Sequence, residues 1–462
     1  MKPLFPKNRL PKRVAAMAVL FAMSAALAQP DGIDKNKLII KGFVDFGHLV
    51  NGYNYYAPDD LGKDISWLPL NRANVLVIQE YSAGKFDAAF GLSGLIWWPY
   101  GQGKSANISE RVMQVKPMVP VARARWKFGE PTGTEASLQV GTFSYKYNPD
   151  AKNLGEYLYR SGTYPGMLVT GEGWLLMNRA GNYSHGALLS MSHLGGMFKH
   201  NVSLFMETVY YPVGDFSPGY DATFTSKWFE IGGGAVLNHG IAFRPSNLAP
   251  KDPTNTYLEI RGKTANGADT VVKGRADKIT PPAVPSDTNV TYWTIKGIKL
   301  MGRAALNLGH VLPEAIRGPE DLRFFIEAAL LGVKDYPLFY EKKSERIPIM
   351  AGVNLPTFKL LDVFSVQGEI YKSPYSDGTK FVREGLPTWQ TGTVDSSKST
   401  ADDFKWSIYA KKSVNKAFTV YAQAASDHFR LTDAAFSTSN IPLTNTWNHD
   451  WYYLFRLEFN LR

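Results

Sequence analysis

Arg123, Arg125 and Lys127 fall on alternate positions of one short run, with Ala122, Ala124, Trp126 and Phe128 around them. In an extended segment this spacing puts the three cations on one face and the apolar residues on the other. Such a basic ladder attracts anions where it lines a narrow passage. The competing reading is neutralisation by acids such as Glu207, Glu327, Glu369 or Glu458. Further candidates lie downstream in NPDAKNLGEYLYRSGTYPG, residues 148–166, where Asp150, Glu156 and then Glu172 are acids that a folded-back loop would set against the ladder. Asn153 to Arg160 is expected to make one or two helical turns ended by Gly162. Tyr371, Tyr409 and Tyr421 share the polar phase of their segments and offer either faces for stacking sugars or internal packing.

Enzymatic chemistry finds little footing. The eight histidines, at 48, 185, 193, 200, 239, 310, 428 and 449, show no H-E-x-x-H spacing, so no metal ligand, cofactor or catalytic residue is assigned and no enzyme is expected. The sole local Ser–His grouping is His185 or His193 near Ser190 and Ser192. The Gly232-Gly233-Gly234 run sits inside an apolar alternation and reads as close backbone approach in a strand, not as a phosphate cradle.

The elements that must carry these residues are strands. At the C-terminus Trp451, Tyr453, Phe455, Leu457, Phe459 and Leu461 alternate with Tyr452, Leu454, Arg456, Glu458, Asn460 and Arg462, giving one wholly apolar face. The same period recurs in Ile347 to Leu355, Phe404 to Ala410 and Phe418 to Ala424. Sixteen such segments are expected, near 38–49, 72–82, 86–98, 117–128, 135–147, 184–194, 199–210, 218–228, 230–243, 290–304, 321–333, 346–356, 361–373, 403–413, 417–428 and 450–461. The alternative is eighteen, with Met167 to Asn178 and its neighbour as an extra hairpin.

The first 28 residues fix the compartment. Lys2, Lys7, Arg9, Lys12 and Arg13 precede the apolar run Val14 to Ala28, and Ala26-Leu27-Ala28 ends it as a cleavage site should, so 1–28 reads as a signal peptide. Its removal takes five cations and no anions, which halves the formal charge from +10 to +5 and leaves no case for nucleic-acid binding. Cysteine is absent, which excludes a disulfide framework and a lipidated N-terminus. The mature 29–462 is then one all-β domain: a transmembrane antiparallel barrel of about 16 strands, whose lipid face is the apolar phase.

Connection lengths agree with that topology. Ala83 to Lys85, Gly129 to Thr134, Gly195 to Phe198 and Val414 to Lys416 are short, whereas 50–71, 99–116, 148–183, 244–289, 374–402 and 429–449 are long. Short connections belong to the periplasmic side and long ones to the outside. Asn307 to Glu320 breaks the rule as a long turn on the short-turn side. Within the long exposed loop 244–289, Thr254 to Thr264 and Thr270 to Ala276 read as a small hairpin, and 148–183 is the candidate constriction loop.

Taken together, the signal peptide, the sixteen strands, the long third loop and the aromatic terminal strand resemble the bacterial porins in architecture. The stretches NLGEYLYRSGTYPG, GDFSPGYDATF and VNLPTFKLLDVFS look like a group of uncharacterised outer-membrane barrel proteins. The resemblance implies a Gram-negative outer-membrane protein and a transport role, passive diffusion of small hydrophilic solutes; the basic ladder and the three tyrosines tilt that expectation toward anions or sugars. Implied partners are outer-membrane lipid and lipopolysaccharide, the barrel-assembly machinery through the C-terminal strand, and further copies in a homotrimer. The C-terminal pattern departs at Arg462, where an aromatic residue ordinarily ends the chain. The alternative is a plugged-barrel surface adhesin or assembly component whose loops bind polymer or a partner protein.

Overall fold

Strands leave unpaired backbone groups at any open edge, and pairing each strand with the next and the last with the first, the arrangement found here, abolishes the edges. The computed structural model describes residues 35–50, 52–53, 64–65, 68–69, 71–98, 114–129, 134–159, 183–206, 214–238, 240–241, 256–263, 269–275, 289–294, 297–333, 343–372, 404–426 and 451–461. The expected signal peptide, Glu172, Glu207 and the Met167 to Asn178 hairpin lie outside the described residues.

The barrel strands are β1 (Lys35–Val50), β2 (Asn71–Ala83), β3 (Phe86–Trp98), β4 (Gln114–Gly129), β5 (Glu135–Ser144), β6 (Tyr183–His193), β7 (Phe198–Met206) and β8 (Phe216–Thr225). They continue as β9 (Phe229–Asn238), β10 (Gly297–Asn307), β11 (Arg323–Leu330), β12 (Ile349–Asn354), β13 (Val363–Ile370), β14 (Phe404–Ser413), β15 (Phe418–Ser426) and β16 (Trp451–Leu461). Each pairs antiparallel with its successor, and β1 closes on β16 from Ile40↔Leu461 to Val50↔Trp451. The barrel is therefore closed at sixteen strands. Because β5 pairs directly with β6, no extra hairpin stands between them in the wall, which removes the count of eighteen.

Phase decides what each face meets. Val75, Phe90, Trp126, Val140, Ile231, Ile326 and Phe455 are all exposed on the outer face, Trp126 at 59%, while their neighbours Glu327 and Arg456 are buried inside. A soluble barrel would reverse this order, since exposed aromatic and aliphatic rows on a water-facing wall have nothing to shield them. Among the described residues no helix is long and apolar enough to cross a membrane, and the strands are the crossing elements of such an architecture.

The expected strand 290–304 divides. Gly297–Asn307 joins the barrel, whereas Asn289–Thr294 leaves it and pairs with Thr256–Lys263, which in turn pairs with Asp269–Arg275. The expected small hairpin is thus present and carries a third strand. The segment 308–322, long for its rim, is folded back on itself: Leu308 N–H donates to Leu322 O at 2.9 Å, and Asp321 accepts from Gly318 N at 2.7 Å and Thr357 N at 3.2 Å.

Candidate functional site

Residues 145–159, which follow β5, do not lie over the rim. They descend inside the barrel and dock on the inner wall of β7 to β13. Glu327 on β11 is the anchor: its carboxylate accepts from Tyr147 OH at 2.6 Å, Asn148 Nδ2 at 2.5 Å, Glu156 N at 3.1 Å and Tyr157 N at 3.0 Å. Two successive backbone N–H groups reach one carboxylate because Gly155 (φ 90) and Glu156 (φ 59) both take left-handed geometry, which turns their amides the same way. The expected helical turns over Asn153 to Arg160 are accordingly replaced, over the described residues 153–159, by a bend shaped to this anion. The left-handed φ is what calls for glycine at position 155, while a Cβ there would also press on the end of the Met350 side chain, 2.6 Å away at Cε.

Other contacts seat the loop along its length. Gln367 on β13 accepts from Asn153 N and Leu154 N, both at 3.1 Å, and donates to Asp150 O at 2.9 Å. Tyr157 OH donates to Glu369 at 2.8 Å, Tyr145 OH to Asp221 at 2.5 Å, and Tyr159 OH meets Ser203 Oγ at 2.8 Å. Leu158 packs over Gly234, where a Cβ would come within 2.7 Å of Leu158 Cδ1. Of the triple-glycine run on β9, Gly234 is the bare floor that receives Leu158, in agreement with close approach, while the space above Gly232 is taken by Arg303. At its lowest point the loop reaches the short-turn rim, where Lys152 pairs with Glu320 at 2.8 Å and Asp150 takes a bidentate grip from Arg323. The long turn 308–322 supplies Glu320 and so holds the tip of a loop that enters from the other end.

The basic ladder occupies a wall almost diametrically opposite. Arg123, Arg125 and Lys127 on β4 project inward, as their phase requires, and retain side-chain exposures of 23%, 33% and 48%. Their partners come from the neighbouring strands. Asp87, in register with Arg125, binds Arg125 Nε at 3.0 Å and Lys127 Nζ at 2.8 Å and also accepts from Ser82; Arg123 meets Glu80 at 3.6 Å and Gln139 at 3.1 Å. Beside them the wall is apolar, with Ile39, Ile78 and Ala89 packed together and Leu76 and Val121 against them.

This geometry corrects the sequence reading at several points. Asp150 and Glu156 do not face the ladder: Asp150 is held by Arg323, and Glu156 is buried with its Oε1 accepting from Asn148 N at 3.4 Å. Glu327 and Glu369 are not ladder partners either, since Glu327 receives the loop and Glu369 lies 3.8 Å from Lys405. Tyr371 and Tyr409 are on the inner face but buried; Lys405 Nζ sits 5.5 Å from the Tyr371 ring centroid, and Tyr409 packs on Tyr421 with centroids 6.2 Å apart. Ser190 and Ser192 share the inner phase of Leu188, whereas His185 and His193 take the outer phase, so the wall itself separates the Ser–His grouping.

No family model and no curated sequence matches the chain. Solved barrels do. A mutant of Rh. blastica porin aligns at 8% identity over 92% of this chain and 100% of that one, with a TM-score of 0.40. Salmonella typhi OmpF in complex with daunomycin aligns at 12% over 92% and 98%, TM-score 0.46, and the high-pH structure of Pseudomonas putida OprB at 8% over 92% and 94%, TM-score 0.43. At these scores the role of each residue rests on the registers and contacts of the chain itself.

Two of the three distinctive sequence words touch in the fold. NLGEYLY, residues 153–159, is the docked loop, and GDFSPGYDATF carries Asp221 and Gly219, the latter placed so that a Cβ would lie 2.7 Å from Tyr159 OH. The third, VNLPTFKLLDVFS, supplies Asn354, which donates to Glu320 at 3.2 Å beside the loop tip. Glu327 accepts four hydrogen bonds from the loop, yet nothing in its own segment marks it as an anchor. Among the described residues no group of three or more His, Asp or Glu side chains converges as a metal site.

Proposed function

We propose that the chain is an outer-membrane channel through which small hydrophilic solutes diffuse passively, with a preference for anions. The observation that carries this reading is the part-exposed inner ladder, in which three cations face two acids, Asp87 and Glu80, on the same wall. Cations in a confined lumen raise the local concentration of anions and lower that of cations. Sugar stacking receives less support, because Tyr371 and Tyr409 are buried. The outward apolar rows would meet lipid and lipopolysaccharide, export would use the 1–28 signal peptide, and the terminal strand would present its aromatic face to the assembly machinery.

A second reading is favoured by one observation: Asn153 to Tyr159 are all buried, Leu154, Tyr157 and Leu158 completely so, although a loop lining an open passage keeps one side wet. In that reading the barrel is plugged and its outer loops bind polymer or a partner protein. Single-channel recording in a planar bilayer separates the two. Discrete conductance steps from folded protein are expected of the channel; a folded protein that inserts and never conducts would establish the plug.

A further inference from the structure

We propose that His193 and His200 form a two-histidine clamp for a divalent transition-metal ion on the outer face of the barrel, at its short-turn rim. His193 ends β6 and His200 is the third residue of β7, joined through the tight turn Leu194–Gly196. Their Nε2 atoms approach to 2.9 Å. Each remaining ring nitrogen has its own oxygen: His193 Nδ1 lies 3.0 Å from Thr134 Oγ1, and His200 Nδ1 lies 3.5 Å from Tyr220 OH. That division of labour is the one found in ligating imidazoles, where an outer hydrogen bond fixes the tautomer and leaves the inner lone pair for the metal.

The setting suits a cation. Two lone pairs aimed at one point repel unless a proton or a metal ion stands between them. Metal–nitrogen bonds of about 2.0–2.1 Å at a tetrahedral angle place two nitrogens roughly 3.3 Å apart, so the pair needs to open by only a few tenths of an ångström. Lys199, which lies between them in sequence, takes the opposite, inner phase, so its ammonium is not beside the clamp. Phe198 stacks against both rings, with centroids 6.1 Å from His193 and 5.3 Å from His200. Both histidines are only part-buried. Two imidazoles leave the other coordination positions to water or to lipid phosphate oxygens, and imidazole selects zinc, copper and nickel over calcium or magnesium.

The full-length folded barrel in detergent tests this with Cu(II), Zn(II) and Ni(II) salts as probes. Cu(II) electron paramagnetic resonance on the unaltered protein is expected to show one ion with two nitrogen ligands. His193→Gln and His200→Gln, each verified as folded by heat-modifiable gel migration, are expected to weaken Zn(II) binding at least about tenfold. His310→Gln, whose ring meets Arg317 and Trp228 instead, is expected to change nothing. One nitrogen or none in the copper spectrum, or equal zinc affinity in all three variants, would overturn the clamp and leave an ordinary hydrogen-bonded pair. The spectrum decides the matter even where a variant does not fold.

Discussion

Asp45 on the first strand stands directly opposite Arg456 on the last, and the two bury their charges against each other across the seam that closes the barrel. Arg456 Nη2 donates to Asp45 Oδ2 at 2.5 Å, Nε donates to Oδ1, and the Phe43 ring lies 3.7 Å from the guanidinium carbon. A charge pair at the one joint made between chain ends fixes register there, because a slip of one residue would turn Arg456 to the apolar outer face. Asp45→Asn is expected to destabilise the barrel by about 3–5 kcal/mol, since it strips a buried guanidinium of its paired charge. Replacing both residues, Asp45→Asn with Arg456→Met, is expected to recover much of that loss. Urea unfolding in lipid vesicles followed by tryptophan fluorescence gives both values; a double variant no more stable than the single one would contradict the pairing.

Glu327 holds the loop through its charge as well as its shape. Glu327→Gln removes the charge and turns one of the two accepting oxygens into an amide nitrogen, so either the Glu156 N–H, which donates to Oε2, or the Tyr157 N–H, which donates to Oε1, loses its acceptor; hydrogen bonds to a charged acceptor contribute about 1.5–3 kcal/mol each. The loop is expected to loosen while the barrel survives. Limited proteolysis should then cut within 145–159 while heat-modifiable migration is retained. Cleavage no faster than in the unaltered protein would mean that the remaining contacts suffice.

The glycines of β9 make a sharper test of the same docking. At Gly234 a new Cβ meets Leu158 at 2.7 Å and the Tyr220 carbonyl at 2.8 Å, whereas at Gly233 the nearest atom, Met301 O, is 3.4 Å away. Gly234→Ala is expected to cost about 1–3 kcal/mol through overpacking. Gly233→Ala, on the outer phase, is expected to stay close to neutral. Equal losses in the two variants would point to a general effect of glycine on the strand, not to a seat for Leu158.

Much of the wall was legible in the sequence and little of what docks on it. Period two gave strand phase directly, so Arg123 and Arg125 could be placed inside from Ala122, Ala124 and Trp126 alone, and the short connections marked one rim. Boundaries were looser: within 230–243 the continuous strand ends at Asn238, and pairing with β8 returns at Ile241, opposite Phe216. Alternation carries no information about height or about which residues meet across a lumen. From sequence Asp150 therefore reads as a partner of the ladder, whereas in the fold Arg323, some 170 positions later in the chain, takes it. The left-handed pair Gly155-Glu156 was hidden for a related reason, since its conformation is selected by Glu327, far off in sequence. The histidine pair is silent in the sequence as well, because a turn and not a helical spacing brings His193 and His200 together.

The role of the basic wall is tested most directly by the reversal potential across a bilayer under a potassium chloride gradient. Anion preference is expected in the unaltered protein, with a shift of that potential toward zero in the Arg123→Ala, Arg125→Ala double variant and conductance retained. A double variant that keeps the full anion preference, or a correctly folded protein that passes no current, would contradict that role.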